Sequence, residues 1–246
     1  MNLFFLLCTL MFTRDVWAFK FVLMDDTLQI GNGVVSTTAT IVNDGSGMVA
    51  IEAGARVRTY SIDGIESSDT LAEDLIVIPS QMIVPPGGEQ VVSIRWLGPS
   101  TIATEQAYRL LIEYVAVSED KLKGLAPDDK QAMMQVNYRV AKAFYVLPKG
   151  TKAHVTLREF TKLSKDGKDV LQVSLENVGN KHQIVHNMTM EFTTQSGEKI
   201  STSFAQNDMG GSVNILALTT RVIDIPWPAS LENKEIVSAT LIGFGE

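Results

Sequence analysis

The sequence predicts an all-β protein made of two β-sandwich domains in tandem, and three observations carry that reading. Apolar and polar residues alternate with a period of two in short runs, turn-forming residues separate the runs, and no window sustains the 3.6-residue stripe of a helix. Thr37, Ala39 and Ile41 alternate with Ser36, Thr38 and Thr40 ahead of the turn Asn43-Asp44-Gly45. Tyr108, Leu110, Ile112 and Tyr114 alternate with Arg109, Leu111 and Glu113. Leu171, Val173 and Leu175 alternate with Gln172, Ser174 and Glu176 until Asn177-Val178-Gly179-Asn180 breaks the run. Each run reads as a half-buried strand, and many short strands with turns between them indicate a sandwich. Ser118 to Lys130 has room for one helical turn, limited by Gly124 and Pro127.

The two domains divide at Leu147-Pro148-Lys149-Gly150. A strand-like stretch from Met133 to Val146 runs into this Pro/Gly break, and a new alternating strand begins near Val155. The expected division is 1–18 as a leader, 19–147 as the first domain and 148–246 as the second. A chain of 246 residues suits two such domains, each with its own core.

The leader is read from Leu3 to Phe12, a compact apolar run followed by Val16-Trp17-Ala18, whose small and apolar residues suit signal peptidase cleavage after Ala18. The run is too short to span a bilayer. The remaining chain is therefore expected to be exported. The single cysteine, Cys8, lies within that leader, so thiol catalysis, a cysteine zinc site and disulfides are all excluded from the mature chain. A net charge of −7 argues against a nucleic-acid binder.

Residues 76–114 carry a more specific pattern. Pro79, Pro85, Gly87, Gln90, Ile94 and Arg95 are followed by the acidic Glu105 and then by an alternating strand. The order resembles the first domain of the periplasmic pilus chaperones of the chaperone–usher family, whose domains are immunoglobulin-like sandwiches with a cleft between them. Pro85-Pro86-Gly87-Gly88 is a turn that no strand interior could contain, and Val92, Ile94 and Trp96 after it form one inward face. Asn43-Asp44-Gly45 and Asn177-Val178-Gly179-Asn180 resemble strand ends of the same family. Tyr108-Arg109-Leu110 and Tyr138-Arg139-Val140 look nearer the alternate or common-pilus type than the P-pilus type.

The resemblance implies a function without catalysis or cofactor. A pilus subunit is a sandwich lacking its last strand, and the chaperone lends the last strand of its own first domain before an outer-membrane usher takes the subunit, in a one-to-one complex. Strand addition of this kind uses main-chain hydrogen bonds for affinity and alternate side chains for fit. Met134, Val136, Tyr138 and Val140 share a face of the expected donor strand. Burying four such side chains is worth roughly 6–12 kcal/mol before association costs. The family also binds the subunit's C-terminal carboxylate with a basic anchor. Parity favours Arg139, which faces away from the donor side chains, and Lys142 competes through its place in Lys142-Ala143-Phe144-Tyr145. The first strand, Phe21 to Ile30, departs from the pattern, with Asp25-Asp26-Thr27 where the family carries a basic residue.

Other chemistries find little in the chain. Its three histidines are His154, His182 and His186; the last two are four apart, a spacing that suits a metal only on a helix. No nucleophile elbow or phosphate-binding glycine loop is present. The rival reading is another secreted tandem sandwich, a pilus subunit or adhesin.

Overall fold

The computed structural model describes residues 19–31, 33–115 and 139–245. The leader, the expected cleavage site, the Ser118 to Lys130 segment, Met134, Val136 and Tyr138 lie outside the described residues. Among the described residues the only helical element is one 3-10 turn, Ala229–Leu231, and everything else regular is strand. No helix there is long and apolar enough to cross a membrane.

The first eleven strands are β1 (Phe19–Leu23), β2 (Thr27–Gln29), β3 (Ser36–Asn43), β4 (Val49–Val57), β5 (Thr59–Tyr60), β6 (Glu66–Ser67), β7 (Leu75–Ile78), β8 (Gln81–Val84), β9 (Glu89–Trp96), β10 (Gln106–Tyr114) and β11 (Arg139–Leu147). Two sheets face each other, one ordered β1-β3-β9-β7 and the other β2-β11-β10-β4-β8. The N-terminal segment joins both. Its β1 part pairs antiparallel with β3 and its β2 part pairs parallel with β11, with Met24-Asp25-Asp26 at the crossing.

The alternation read from the sequence is what closes this core. Ala39 and Ile41 point inward from β3, Val92, Ile94 and Trp96 from β9, and Tyr108, Leu110 and Ile112 from β10, all buried. Phe144 and Val146 of β11 complete the layer and are fully buried. Each such side chain contributes about 1.5–3 kcal/mol of burial. Where a hydroxyl enters, it is paired: the buried Tyr108 donates from Oη to Asp74 Oδ1 at 2.8 Å.

A second core is built from β12 (Val155–Lys165), β13 (Lys168–Asn177), β14 (Gln183–Val185), β15 (Asn187–Thr194), β16 (Lys199–Phe204), β17 (Val213–Ile215), β18 (Thr220–Pro226) and β19 (Ile236–Gly245). Their orders are β12-β13-β18, β14-β17 and β16-β15-β19. Leu171, Val173 and Leu175 of β13 meet Met188, Met190 and Phe192 of β15, all fully buried. The long edge strand β12 carries a register shift between Leu157 and Glu159 and exposes Lys162 and Lys165, both of which discourage further strand pairing.

Candidate functional site

The last strand of the first sandwich, β11, is hydrogen-bonded along one side only for most of its length. Against β10 it is paired from Arg139 to Val146, with Leu110 opposite Lys142 and Ile112 opposite Val140. Against β2 it is paired only from Tyr145 to Leu147. Tyr145 N–H donates to the Asp26 carbonyl at 2.9 Å, and Ile30 N–H to the Leu147 carbonyl at 3.0 Å. From Arg139 to Phe144 the outer main-chain edge has no strand partner among the described residues. Six residues of open edge span about 20 Å.

The side chains along this edge divide by parity. Val140 is half-buried and packs against the first core together with the buried Phe144 and Val146. Lys142 shares that parity but is exposed, and it makes no hydrogen bond or ion pair among the described residues. Arg139 lies on the opposite face, where its Nε is 2.8 Å from Glu113 Oε1 on β10, both side chains being about half exposed.

The remaining motif residues do not gather at this edge. Gly87, at a φ of 65° that favours glycine, and Gly88 form the end of the turn that begins at Pro85. Gly87 N–H donates to the Asn43 carbonyl, and Asn43 N–H to the Gly88 carbonyl, each at 2.9 Å. Pro79 sits between β7 and β8, while Gln90 and Arg95 lie on β9, with Arg95 exposed. These positions build the sandwich. Glu105 is different: it is buried just before β10 and reaches the second sandwich, where its carboxylate accepts from His182 N–H at 3.2 Å and lies 2.7 Å from His182 Nδ1.

Around that contact the two sandwiches meet. The Tyr145 ring of β11 stacks on the His182 imidazole with centroids 3.9 Å apart. Tyr145 Oη accepts from Arg58 Nη1 at 2.7 Å and from Asn214 Nδ2 at 2.8 Å, one partner from each sandwich. Tyr145 and Leu147 also pack against Leu216 in a small apolar cluster of their own. Burial raises the Tyr145 pKa, outweighing the Arg58 cation and the Asn214 bond, which lower it.

Beside this lies a charged network carried by the β5–β6 hairpin. Glu66 accepts from Arg109 through Oε1 at 2.5 Å and Oε2 at 2.6 Å, from Arg58 Nη2 at 3.0 Å and from Tyr60 Oη at 2.8 Å. Burial pushes the Glu66 carboxyl up, but the bonds from Arg109, Tyr60 and Arg58 outweigh it and hold the pKa at about 2. Sequence reasoning missed Arg58, Glu66, Arg109, Asn214 and Tyr145 as a group, since each looks like an ordinary strand residue. The only local hint was that Arg58, Tyr60 and Glu66 cluster in a segment with weak strand character.

The histidines do not converge. His182 is turned into Glu105, while the exposed His186 Nδ1 lies 3.0 Å from Ser212 Oγ and 3.3 Å from Gln206 Oε1. Among the described residues no group of three or more His, Cys, Asp or Glu could hold a metal.

The arrangement of strands has close parallels among solved structures. The class 5 fimbriae chaperone CfaA superposes with a TM-score of 0.54 at 16% identity, covering 90% of this chain and 98% of that one. The fold is that of the fimbrial chaperones. A chain of the CsuC–CsuE chaperone–tip adhesion subunit pre-assembly complex of Acinetobacter baumannii gives 0.54 at 12% identity, covering 89% and 97%. One from the complex of Salmonella enterica SafA pilin with the SafB chaperone gives 0.51 at 11%, covering 87% and 86%. No protein-family model matches the chain, and no curated protein sequence matches it. At such identities the chaperone fold is shared through the pattern of strands and buried positions, with few residues in common.

Proposed function

We propose that this chain is a periplasmic chaperone of the chaperone–usher family, which caps a pilus subunit by lending it the open edge of β11 and passes it to an outer-membrane usher. The observation that carries the reading is that edge: from Arg139 to Phe144, beyond the short stretch paired with β2, the main chain offers its donors and acceptors to a further strand. An open edge without a partner is an aggregation hazard, so one retained beside a buried core calls for an occupant. The shared fold supports it, since solved structures with that fold include chaperones bound to a pilin and to a tip adhesion subunit.

In this reading the division falls at Leu147-Pro148, the leader is removed after Ala18, and Met134, Val136, Tyr138 and Val140 enter the subunit's groove. The carboxylate anchor is assigned first to Lys142, a cation beside the open edge with no partner among the described residues. Arg139 is second, since it must first leave Glu113. The motifs around Tyr108 and Tyr138 favour the alternate or common-pilus type. The function needs no cofactor and no catalysis.

Periplasmic co-expression with candidate subunits from neighbouring genes, followed by pull-down and sizing, tests this. A one-to-one complex lost on Val140→Asp is the expected result. A stable protein that captures no subunit would overturn the proposal in favour of a secreted tandem-sandwich subunit or adhesin.

A further inference from the structure

The β5–β6 hairpin belongs to the first sandwich, yet its tip rests on the second. Its loop is tightened by Gly64 N–H donating to the Ser61 carbonyl and Ser61 N–H donating to the Ile65 carbonyl, each at 2.9 Å. At the tip the Ile62 carbonyl accepts from Val222 N–H of β18 at 2.8 Å. The hairpin thereby takes up a main-chain donor that β13, the other neighbour of β18, leaves free.

The residue before Val222 supplies a second contact. Arg221 places its guanidinium 4.9 Å from the centroid of the Tyr60 ring. It also lies against Gly64, where a Cβ would come within 2.0 Å of Arg221 Nη2. The φ of 88° at Gly64 independently favours glycine. Nε and Nη1 of Arg221 are buried without a hydrogen-bond partner among the described residues, so its flat face makes the contact. Tyr60 is in turn held by Glu66 and Arg58, so the ring that receives Arg221 is fixed from the first sandwich.

We propose that Tyr60, Gly64 and Arg221 form a clasp that holds the two sandwiches at one angle in the free chain, so that the cleft beside β11 is preset before a subunit arrives. Arg221 is a positioning residue that acts through the hairpin. The clasp is independent of what the chain binds, but its consequence for capture rests on the chaperone reading. A preset cleft spares binding the cost of ordering two domains, which otherwise move relative to each other by default.

The test is a distance distribution between spin labels on the whole mature chain. Its only native cysteine, Cys8, lies in the leader, so Thr38→Cys and Ser201→Cys, both at exposed strand positions of different sandwiches, label cleanly. The unaltered clasp should give one narrow distribution. Arg221→Ala should broaden it about twofold, and Arg221→Lys, which keeps a cation over the ring, less so. Tyr60→Leu removes the other half of the contact and serves if Arg221→Ala fails to fold. A broad distribution with the clasp intact, or an unchanged one in both Arg221→Ala and Tyr60→Leu, would overturn the proposal. Association with a captured subunit should slow in Arg221→Ala while its thermal melt holds. Equal association rates overturn the link to capture. Failure of every form to capture a subunit overturns the chaperone reading and leaves the distance result standing.

Discussion

Asn43 and Asn177 share three hydrogen bonds at matching corners of the two sandwiches, and Asn177 Oδ1 also accepts from His154 N–H at 3.2 Å. Both side chains are fully buried. Asn43 Oδ1 accepts from Gly45 N–H at 3.0 Å, and Nδ2 donates to the Gly47 and Val84 carbonyls at 2.7 and 2.9 Å. Asn177 Oδ1 accepts from Gly179 N–H at 3.0 Å, and Nδ2 donates to the Lys181 and Ile215 carbonyls at 2.8 and 3.1 Å. Each asparagine therefore ties a strand end to the facing segment. The N-x-G spelling of both turns is the sequence trace of one repeated corner.

That equivalence predicts equal sensitivity. Asn177→Ala leaves two carbonyls and two amides without that side chain as partner, and should destabilise the second sandwich by about 2–4 kcal/mol. Asn43→Ala should do the same to the first. Urea denaturation followed by a probe in each sandwich measures both, and a loss confined to one corner would show that the two are not equivalent.

Glu66 predicts an acid-sensitive window. Its folded pKa of about 2 lies below the ordinary carboxylate value of 4.5. The stability it supplies is thus fully present above about pH 4.5 and is lost as pH falls through about 2. Allowing for solvent screening of a partly exposed group, the effect should be ~1–2 kcal/mol. Denaturation midpoints of the unaltered chain and Glu66→Gln, compared from pH 7 down to pH 2, should differ at the top of the range and converge at the bottom.

Glu105 predicts a contact between the sandwiches that can be loosened selectively. Its side chain is almost wholly covered and joined to His182, whose ring stacks on Tyr145. Glu105→Ala strands the His182 N–H and should cost about 1–3 kcal/mol. Faster amide exchange at His182 and Asn180, with exchange in the two cores unchanged, is the expected signature.

The open edge predicts a separation of binding from folding. Lys142→Ala removes an exposed side chain with no partner among the described residues, so stability should change by less than about 0.5 kcal/mol. Subunit capture should fall at least about tenfold, the worth of one charge-assisted bond. Arg139→Ala should fall less, because Arg139 spends part of its charge on Glu113. Pull-down with a titrated subunit distinguishes the two, and a larger loss for Arg139→Ala would return the anchor to that residue.

What the sequence determined alone was whatever depends on neighbours in the chain. Alternation in 36–41, 108–114 and 171–175 became buried and exposed faces because a strand turns its side chains by halves. Pro85 to Gly88 became a turn because proline and glycine exclude other conformations there. Both Asn-x-Gly strand ends were legible for the same local reason. The tertiary structure alone decided which distant residues meet. Glu105 was singled out by motif, but nothing near it in the chain announces His182 as its partner. Arg58, Glu66 and Arg109 lie on different strands, and only the stacking of sheets gathers their charges. Arg221 and Gly64 belong to different sandwiches, so their contact exists only once the two are set against each other. Local patterning specifies strands because its forces act within a few residues, whereas the junction between the sandwiches is set by long-range packing that leaves no periodic mark in the sequence.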